Sequence, residues 1–167
     1  MMGEYESMNE LESVPSEELL WDKRLLGLAL SVGRWSKDRS RQVGAVIIDN
    51  SRSILAIGYN GFPRGVDDSS DERHVRPEKY LWTEHAERNA IYDAVRRGVA
   101  LGGATMYLPW YPCADCARAI IQSGIASLVA FERDSQDAIW DNHFRASSLM
   151  LAEAGVRVRL RNKADLV

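Results

Sequence analysis

The sequence predicts an α/β fold, a three-layer α/β/α sandwich around a five-stranded mixed sheet. Three observations lead there. Short apolar, β-branched runs recur between stretches of helical periodicity. The first two runs are separated only by turn residues, as in an antiparallel hairpin. The later runs alternate with helical stretches, as in parallel crossovers.

Taken in order, residues 1–15 carry Glu4, Glu6, Glu10 and Glu12 and no basic residue, which reads as an acidic flexible tail. Residues 16–167 then form a single domain, a length that suits one core. A helix is expected over 16–36, capped by Ser16, with Leu19, Leu20, Leu25, Leu26, Leu28, Ala29 and Val32 on a broad apolar face. Residues 43–48 and 54–59 are the strands of a hairpin turned by Asp49-Asn50-Ser51-Arg52. A helix follows over 83–97, with Ala86, Ala90, Ile91, Ala94 and Val95 on one stripe. Residues 104–108 and 127–131 are the third and fourth strands. A helix over 139–154 ends at Gly155, a suitable residue just past a helix end. The fifth strand, 156–160, alternates Val and Arg, which suits an edge with one wet face. Residues 60–81 form a long connection rich in Gly, Pro, Asp and Arg, and connections of that length in a compact domain are usually functional or disordered. It leaves the hairpin and returns at His85, so it is expected to pass over whatever site forms there.

Composition excludes several classes. The formal net charge of −3 argues against a nucleic-acid binder, which carries a basic face. No apolar run reaches membrane-spanning length, and no basic-then-apolar leader opens the chain. The two cysteines leave no disulfide framework and suit a reducing, cytoplasmic compartment.

Both cysteines fall in Pro112-Cys113-Ala114-Asp115-Cys116, and His85-Ala86-Glu87 lies upstream. A catalytic zinc needs three protein ligands and one open position for water. His85, Cys113 and Cys116 supply the three, two thiolates offsetting the metal charge. Glu87 is not needed as a ligand and is available to move protons. His85 and Glu87 are two residues apart, about 200° in helical projection, so they border one cleft only where the helix is starting. Pro112 is a helix-start signal, and cysteines at i and i+3 of a first turn face one point. Two helix N-termini thus converge on the metal and favour anions there. A lone C-x-x-C is also compatible with a redox pair or half of a structural zinc site. A structural site would want a fourth protein ligand, and the remaining histidines, His74 and His143, read as a surface residue and a packed or hydrogen-bonded one. Glu84 and Asp115 read as first-turn acids. Trp110 and Tyr111 either wall a base pocket by stacking or pack in the core.

The pattern H-x-E…P-C-x-x-C is the signature of zinc nucleoside and nucleobase deaminases. From about residue 25 to 160 the chain resembles the deoxycytidylate (dCMP) deaminase family of the zinc-dependent cytidine deaminase superfamily. The resemblance rests on Ser36-Lys37-Asp38 with Gln42-Val43-Gly44-Ala45, on Gly58-Tyr59-Asn60-Gly61-Phe62-Pro63-Arg64-Gly65, on His85 to Ile91, and on Pro112 to Ala117 with Ile120, Ile121 and Gly124. The second of these separates the family from free-cytidine, tRNA-adenosine and riboflavin-pathway deaminases. It implies a cytidine deaminase-like fold and a Zn2+-dependent hydrolase that converts dCMP to dUMP with release of ammonia, Glu87 shuttling protons. It implies that Asn60 holds the sugar and that the loop beyond it handles phosphate or an effector, with Arg64 leading. Ala86 and Tyr111 join Asn60 and Arg64 as expected substrate-binding residues. Many family members are hexamers activated by dCTP and inhibited by dTTP, so a homo-oligomer, dimer to hexamer, under allosteric control is expected. Two departures concern regulation: Glu84 stands where members often carry cysteine, and the loop has no cysteine for the second metal site of some relatives. CMP, a modified dCMP or another free nucleotide or base remain alternative substrates. A nucleic-acid base deaminase and a non-enzymatic zinc-bearing effector-binding protein are the more distant readings.

Overall fold

The computed structural model describes residues 16–132 and 141–166. The acidic stretch 1–15 and the first two residues of the expected last helix, Ile139 and Trp140, lie outside the described residues. The elements run α1 Glu17–Gly33, β1 Gly44–Ile48, β2 Ile54–Tyr59, α2 Lys79–Trp82, α3 Ala86–Arg96, β3 Thr105–Leu108, α4 Ala114–Gln122, β4 Ser127–Phe131, α5 Asp141–Glu153 and β5 Arg157–Arg161. One sheet holds the five strands in the order β2-β1-β3-β4-β5. β1 is antiparallel to β2 and β3, whereas β3, β4 and β5 run parallel, so the sheet is mixed as expected.

Strand alternation distributes the core between two faces. Val46 and Ile48 point with Tyr107, Val129 and Phe131 toward α1, which answers with Leu25, Leu26, Ala29 and Val32. Ala45, Ile47, Met106, Leu108, Leu128 and Ala130 point the other way, under α3, α4 and α5. Each fully buried Leu, Ile or Phe contributes roughly 1.5–3 kcal/mol, so the two clusters hold the sandwich together. Ser16 caps α1 by accepting from the Leu19 amide at 3.2 Å. Gly155, at φ 73°, closes α5 in a Schellman turn, with Val156 N donating to Leu151 O and Gly155 N to Ala152 O.

Three local readings change. Val95 is exposed, because it lies about 100° around α3 from the buried Ala94. The arginine face of β5 is not wet throughout. Asp22 of α1 is fully buried, and Tyr107 Oη, Arg159 and Arg161 donate to it at 2.9, 3.0 and 2.6 Å. A buried carboxylate without partners is strongly unfavourable, so those two arginines turn inward. The 60–81 connection is also more structured than a loop. It contains a 3₁₀ turn at Asp71–His74 and enters α2, and Phe62 stacks on His74 with ring centroids 4.8 Å apart. Phe62 and Trp82 lie 6.3 Å apart, and the Arg73 guanidinium sits 4.0 Å from the centre of the Trp82 ring. Ion pairs Lys37–Asp68 and Arg39–Asp71 fasten the connection to the segment after α1.

Candidate active site

α3 reaches its place because Gly58 of β2 has no side chain. A Cβ there would collide with Ala90 N and Ala86 O, both backbone atoms of α3. The end of β2 is tied to the start of α3 as well: Gly61 N donates to Glu84 O at 3.0 Å and Glu84 N to Gly61 O at 2.8 Å. His85 follows as the N-cap of α3, in extended backbone at φ −79° and ψ 154°. That conformation answers the angular objection, since His85 stands outside the helix while Glu87 lies in its first turn. Glu84 is outside the helix too. Its carboxylate accepts the His85 amide at 3.0 Å and pairs with Arg88, so it fixes the residue that carries the imidazole. Asp115 does lie in the first turn of α4, paired with Arg118.

Cys113 is the N-cap of α4 and Cys116 lies in its first turn. His85 Nδ1 stands 3.6 Å from Cys113 Sγ and 3.5 Å from Cys116 Sγ, and the three donor atoms lie within 4.8 Å of one another. Tetrahedral zinc, with bonds of roughly 2.1 Å to nitrogen and 2.3 Å to sulfur, separates such donors by roughly 3.6 Å. The nitrogen–sulfur spacings therefore fit the ion. Among the described residues, these three form the one such donor group; His74 and His143 take no part. The thiols are already polarised against each other. The Cys113 thiol is pulled down to about 4 by hydrogen bonds from Cys116 and from His85. Cys116 is pushed up by its bond to Cys113 and by burial, and its proton leaves when a metal enters. His85 is raised by its hydrogen bond to Cys113.

Glu87 is buried beside this group, and burial raises its pKa. His85, Cys113 and Glu87 line a cleft of ≈ 110 Å³, and Cys116 lies fully buried behind them. A larger cavity of ≈ 340 Å³ lies next door and holds none of the donors, so the smaller one is the candidate active site. Trp110, Tyr111 and Phe144 form the aromatic wall of the cleft, alongside Ala86. Tyr111 meets Phe144 edge-on at 6.0 Å, and its hydroxyl accepts from Ser148 at 3.0 Å. The 60–81 connection contributes Arg76, Lys79 and Tyr80, so it does pass over the site.

Asn60 lines the cleft, with its amide bonded to protein. Oδ1 accepts from Val43 N at 2.8 Å, and Nδ2 donates to Arg41 O at 2.9 Å and to Asp38 Oδ2 at 3.3 Å. Arg64 is not brought to the cleft. It lines the neighbouring cavity and faces Asp93 of α3 at 3.7 Å. Sequence reasoning missed Arg41 and Phe144, and it left Lys79 among the polar residues of the 60–81 connection without a role of its own. Lys79 is drawn in by its ion pair with Asp38, a residue of the Ser36-Lys37-Asp38 stretch 41 residues away, a contact that only the fold reveals. Phe144 carries no local signal, because it reaches the cleft from a helix that joins the sheet late in the chain.

The fold and the donor set define an α/β/α protein with a His/Cys/Cys group able to hold a metal and an adjacent buried carboxyl. Residues 19–132 match the family model described as the cytidine and deoxycytidylate deaminase zinc-binding region. A protein of Aliivibrio fischeri described as an uncharacterized deaminase is 44% identical over 142 residues, covering 83% of this chain and 91% of that one. The human deoxycytidylate deaminase is 31% identical over 158 residues, covering 91% of this chain and 86% of that one. The crystal structure of the dCMP deaminase of cyanophage S-TIM5 in complex with dCMP and dUMP shares the fold, with a TM-score of 0.69 at 22% identity over 89% of this chain and all of that one. The chain belongs to the cytidine and deoxycytidylate deaminase zinc-binding family. Among the described residues no helix is long and apolar enough to cross a membrane.

Proposed function

We propose that this chain is a zinc-dependent deaminase of pyrimidine nucleoside monophosphates that converts dCMP and water to dUMP and ammonia. One observation carries the reading: His85, Cys113 and Cys116 form one donor group at the floor of a cleft that the buried Glu87 also lines, in a chain of this family. His85, Cys113 and Cys116 would hold the metal. Zinc held there supplies Lewis acidity, which lowers the pKa of a bound water toward neutrality. Glu87 takes the proton that the attacking water gives up and delivers it to N3 as oxygen bonds to C4. The carboxylate then takes the proton of the new C4 hydroxyl and carries it to the exocyclic nitrogen, leaving C4 as a carbonyl. The C4–N bond breaks and ammonia leaves. Burial that raises the Glu87 pKa suits a group that must hold a proton between these transfers.

The aromatic wall would take the pyrimidine, with Tyr111 and Phe144 against the ring and Ala86 beneath it. Asn60 Oδ1 has a second lone pair with which to accept from the sugar, beyond its bond to Val43. Arg64, being outside the cleft, serves the neighbouring cavity in this reading, and that cavity is the candidate site for dCTP and dTTP. The exposed Trp35, Leu81 and Val95 support a homo-oligomer. A paired-thiol metal site suits a reducing, cytoplasmic setting.

The test is ammonia release over a panel of cytosine, adenine and guanine nucleosides and monophosphates. dCMP is expected to be the best substrate. Release from purine nucleotides alone would overturn the pyrimidine assignment, and deoxycytidine turned over as efficiently as dCMP would overturn the monophosphate assignment.

A further inference from the structure

We propose that Lys79, carried by the 60–81 connection, is a positioning residue that fixes the side-chain amide of Asn60 in the one orientation able to accept from the sugar; this rests on the reading of Asn60 given above. Asn60 is buried just beyond β2 and lines the metal cleft. Its Oδ1 accepts from Val43 N at 2.8 Å. Its Nδ2 faces two acceptors, Arg41 O at 2.9 Å and Asp38 Oδ2 at 3.3 Å. Turning the amide over would set Oδ1 against a carbonyl and a carboxylate, and the NH2 group against the Val43 N–H. All three hydrogen bonds would be lost in a buried place. The amide therefore offers a substrate the second lone pair of Oδ1. In dCMP the sugar has one free hydroxyl, at C3′, and that hydroxyl is the donor.

The lock holds while Asp38 is ionised, because a carboxylate only accepts whereas a carboxylic acid also donates. Lys79 Nζ lies 2.7 and 3.0 Å from the two Asp38 oxygens and 2.6 Å from Ser40 Oγ, which uses all three ammonium donors. Both side chains of the pair are less than a tenth exposed. The Ser40 amide at 2.8 Å, the Ser40 hydroxyl at 2.9 Å and the Arg41 amide at 3.1 Å converge on Asp38 Oδ1, leaving Oδ2 to Lys79 and Asn60. Without its cation, a carboxylate buried here takes up a proton or turns toward water. Either change removes the acceptor that Asn60 Nδ2 needs. The sugar-binding amide is thus complete only when the 60–81 connection is docked with Lys79 in place.

The test compares kcat/KM for dCMP and for 2′,3′-dideoxycytidine monophosphate, by ammonia release, in zinc-loaded protein. Wild type should favour dCMP by about two- to tenfold, the range of one neutral hydrogen bond. Asn60→Ala should bring the ratio close to one. Lys79→Met should lower it in the same direction with zinc content unchanged, and should lower it no further in the Asn60→Ala background. Lys79→Arg, which keeps the charge, should recover part of the preference. Ser40→Ala, which keeps the ion pair and removes one bond from each partner, should lower the ratio by less and supplies the same comparison if Lys79→Met does not fold. A ratio that falls in Asn60→Ala but stays at the wild-type value in both Lys79→Met and Ser40→Ala, or in Ser40→Ala where Lys79→Met does not fold, overturns the positioning role and leaves the sugar reading standing. A wild type indifferent to the 3′-hydroxyl overturns the sugar reading and the positioning role with it.

Discussion

His85 Nδ1 and Cys113 Sγ stand 3.6 Å apart although each residue is the N-cap of a different helix, α3 and α4. Each helix start carries roughly half a positive charge. Their convergence favours thiolate and any other anion at one point. It also makes the site a joint between two helices, so the metal and the fold are coupled.

Purified protein is therefore expected to hold about one zinc per chain, from the three-donor count. Cys113→Ala and Cys116→Ala should lose the metal and lower the melting temperature together, because metal-binding free energy is partly folding free energy. Metal analysis after dialysis with parallel thermal melts reads both. Full activity in a zinc-free preparation would end the zinc assignment.

Glu87→Gln should keep zinc and bind dCMP, yet lose turnover by at least about 10²–10⁴, the usual weight of general acid–base work. The amide fills the same space and cannot carry the proton. A variant with a tenth of wild-type turnover would place the proton shuttle elsewhere. One that lost zinc as well would make Glu87 a ligand.

The donors were legible from spacing because metal chemistry restricts residue type and interval at once. The hairpin and the parallel strands were legible because apolar runs and turn residues are local signals. The inward arginines of β5 were not, since Arg159 and Arg161 turn toward Asp22, more than a hundred residues away in sequence. Arg41 was hidden for the same reason. A cation in a polar loop looks solvated until the fold brings Trp110 beneath it. Arg64 stood out in a motif, but the chain turns it toward α3 rather than the donors.

Gly58→Ala should disturb the site from behind. The new methyl group would meet the backbone of α3 at Ala86 and Ala90, which cannot rotate away as a side chain can. Overpacking of this kind costs about 1–3 kcal/mol, and here the displaced helix carries His85 and Glu87. Urea denaturation should show the loss, together with weaker zinc retention. Unchanged stability and zinc affinity would mean that β2 and α3 separate more easily than their packing implies.

The cavity beside the active site shares Asp38, Lys79 and Thr83 with it. If that cavity takes nucleotide effectors, dCTP and dTTP should shift the dCMP saturation curve in opposite directions. Lys37→Gln, on the cavity wall, should blunt both shifts. A hyperbolic curve indifferent to both nucleotides would remove the effector role. A fully active monomer in light scattering at micromolar concentration would remove the assembly.

Asp38 and Lys79 stand in the wall that the two cavities share. Burial alone would raise the Asp38 pKa, but the hydrogen bond from Lys79, the Ser40 and Arg41 amides and the Ser40 hydroxyl together hold it down to about 2, against an ordinary 3.8. A folded-state pKa below the unfolded one stabilises the fold in full above pH 3.8, and that contribution disappears as pH falls through 2. At 1.36 kcal/mol per pKa unit it amounts to about 2 kcal/mol. Lys79→Met would leave the carboxylate buried without its cation, a loss of about 3–5 kcal/mol at neutral pH. The Asp38 pKa should then rise, so acid unfolding of the variant should depend less on pH between 4 and 2 than that of the wild type. Urea denaturation at pH 7 and pH 3 would measure both effects. A variant as stable as wild type at pH 7 would show that Asp38 finds water or another cation, and that the wall between the cavities does not depend on this pair.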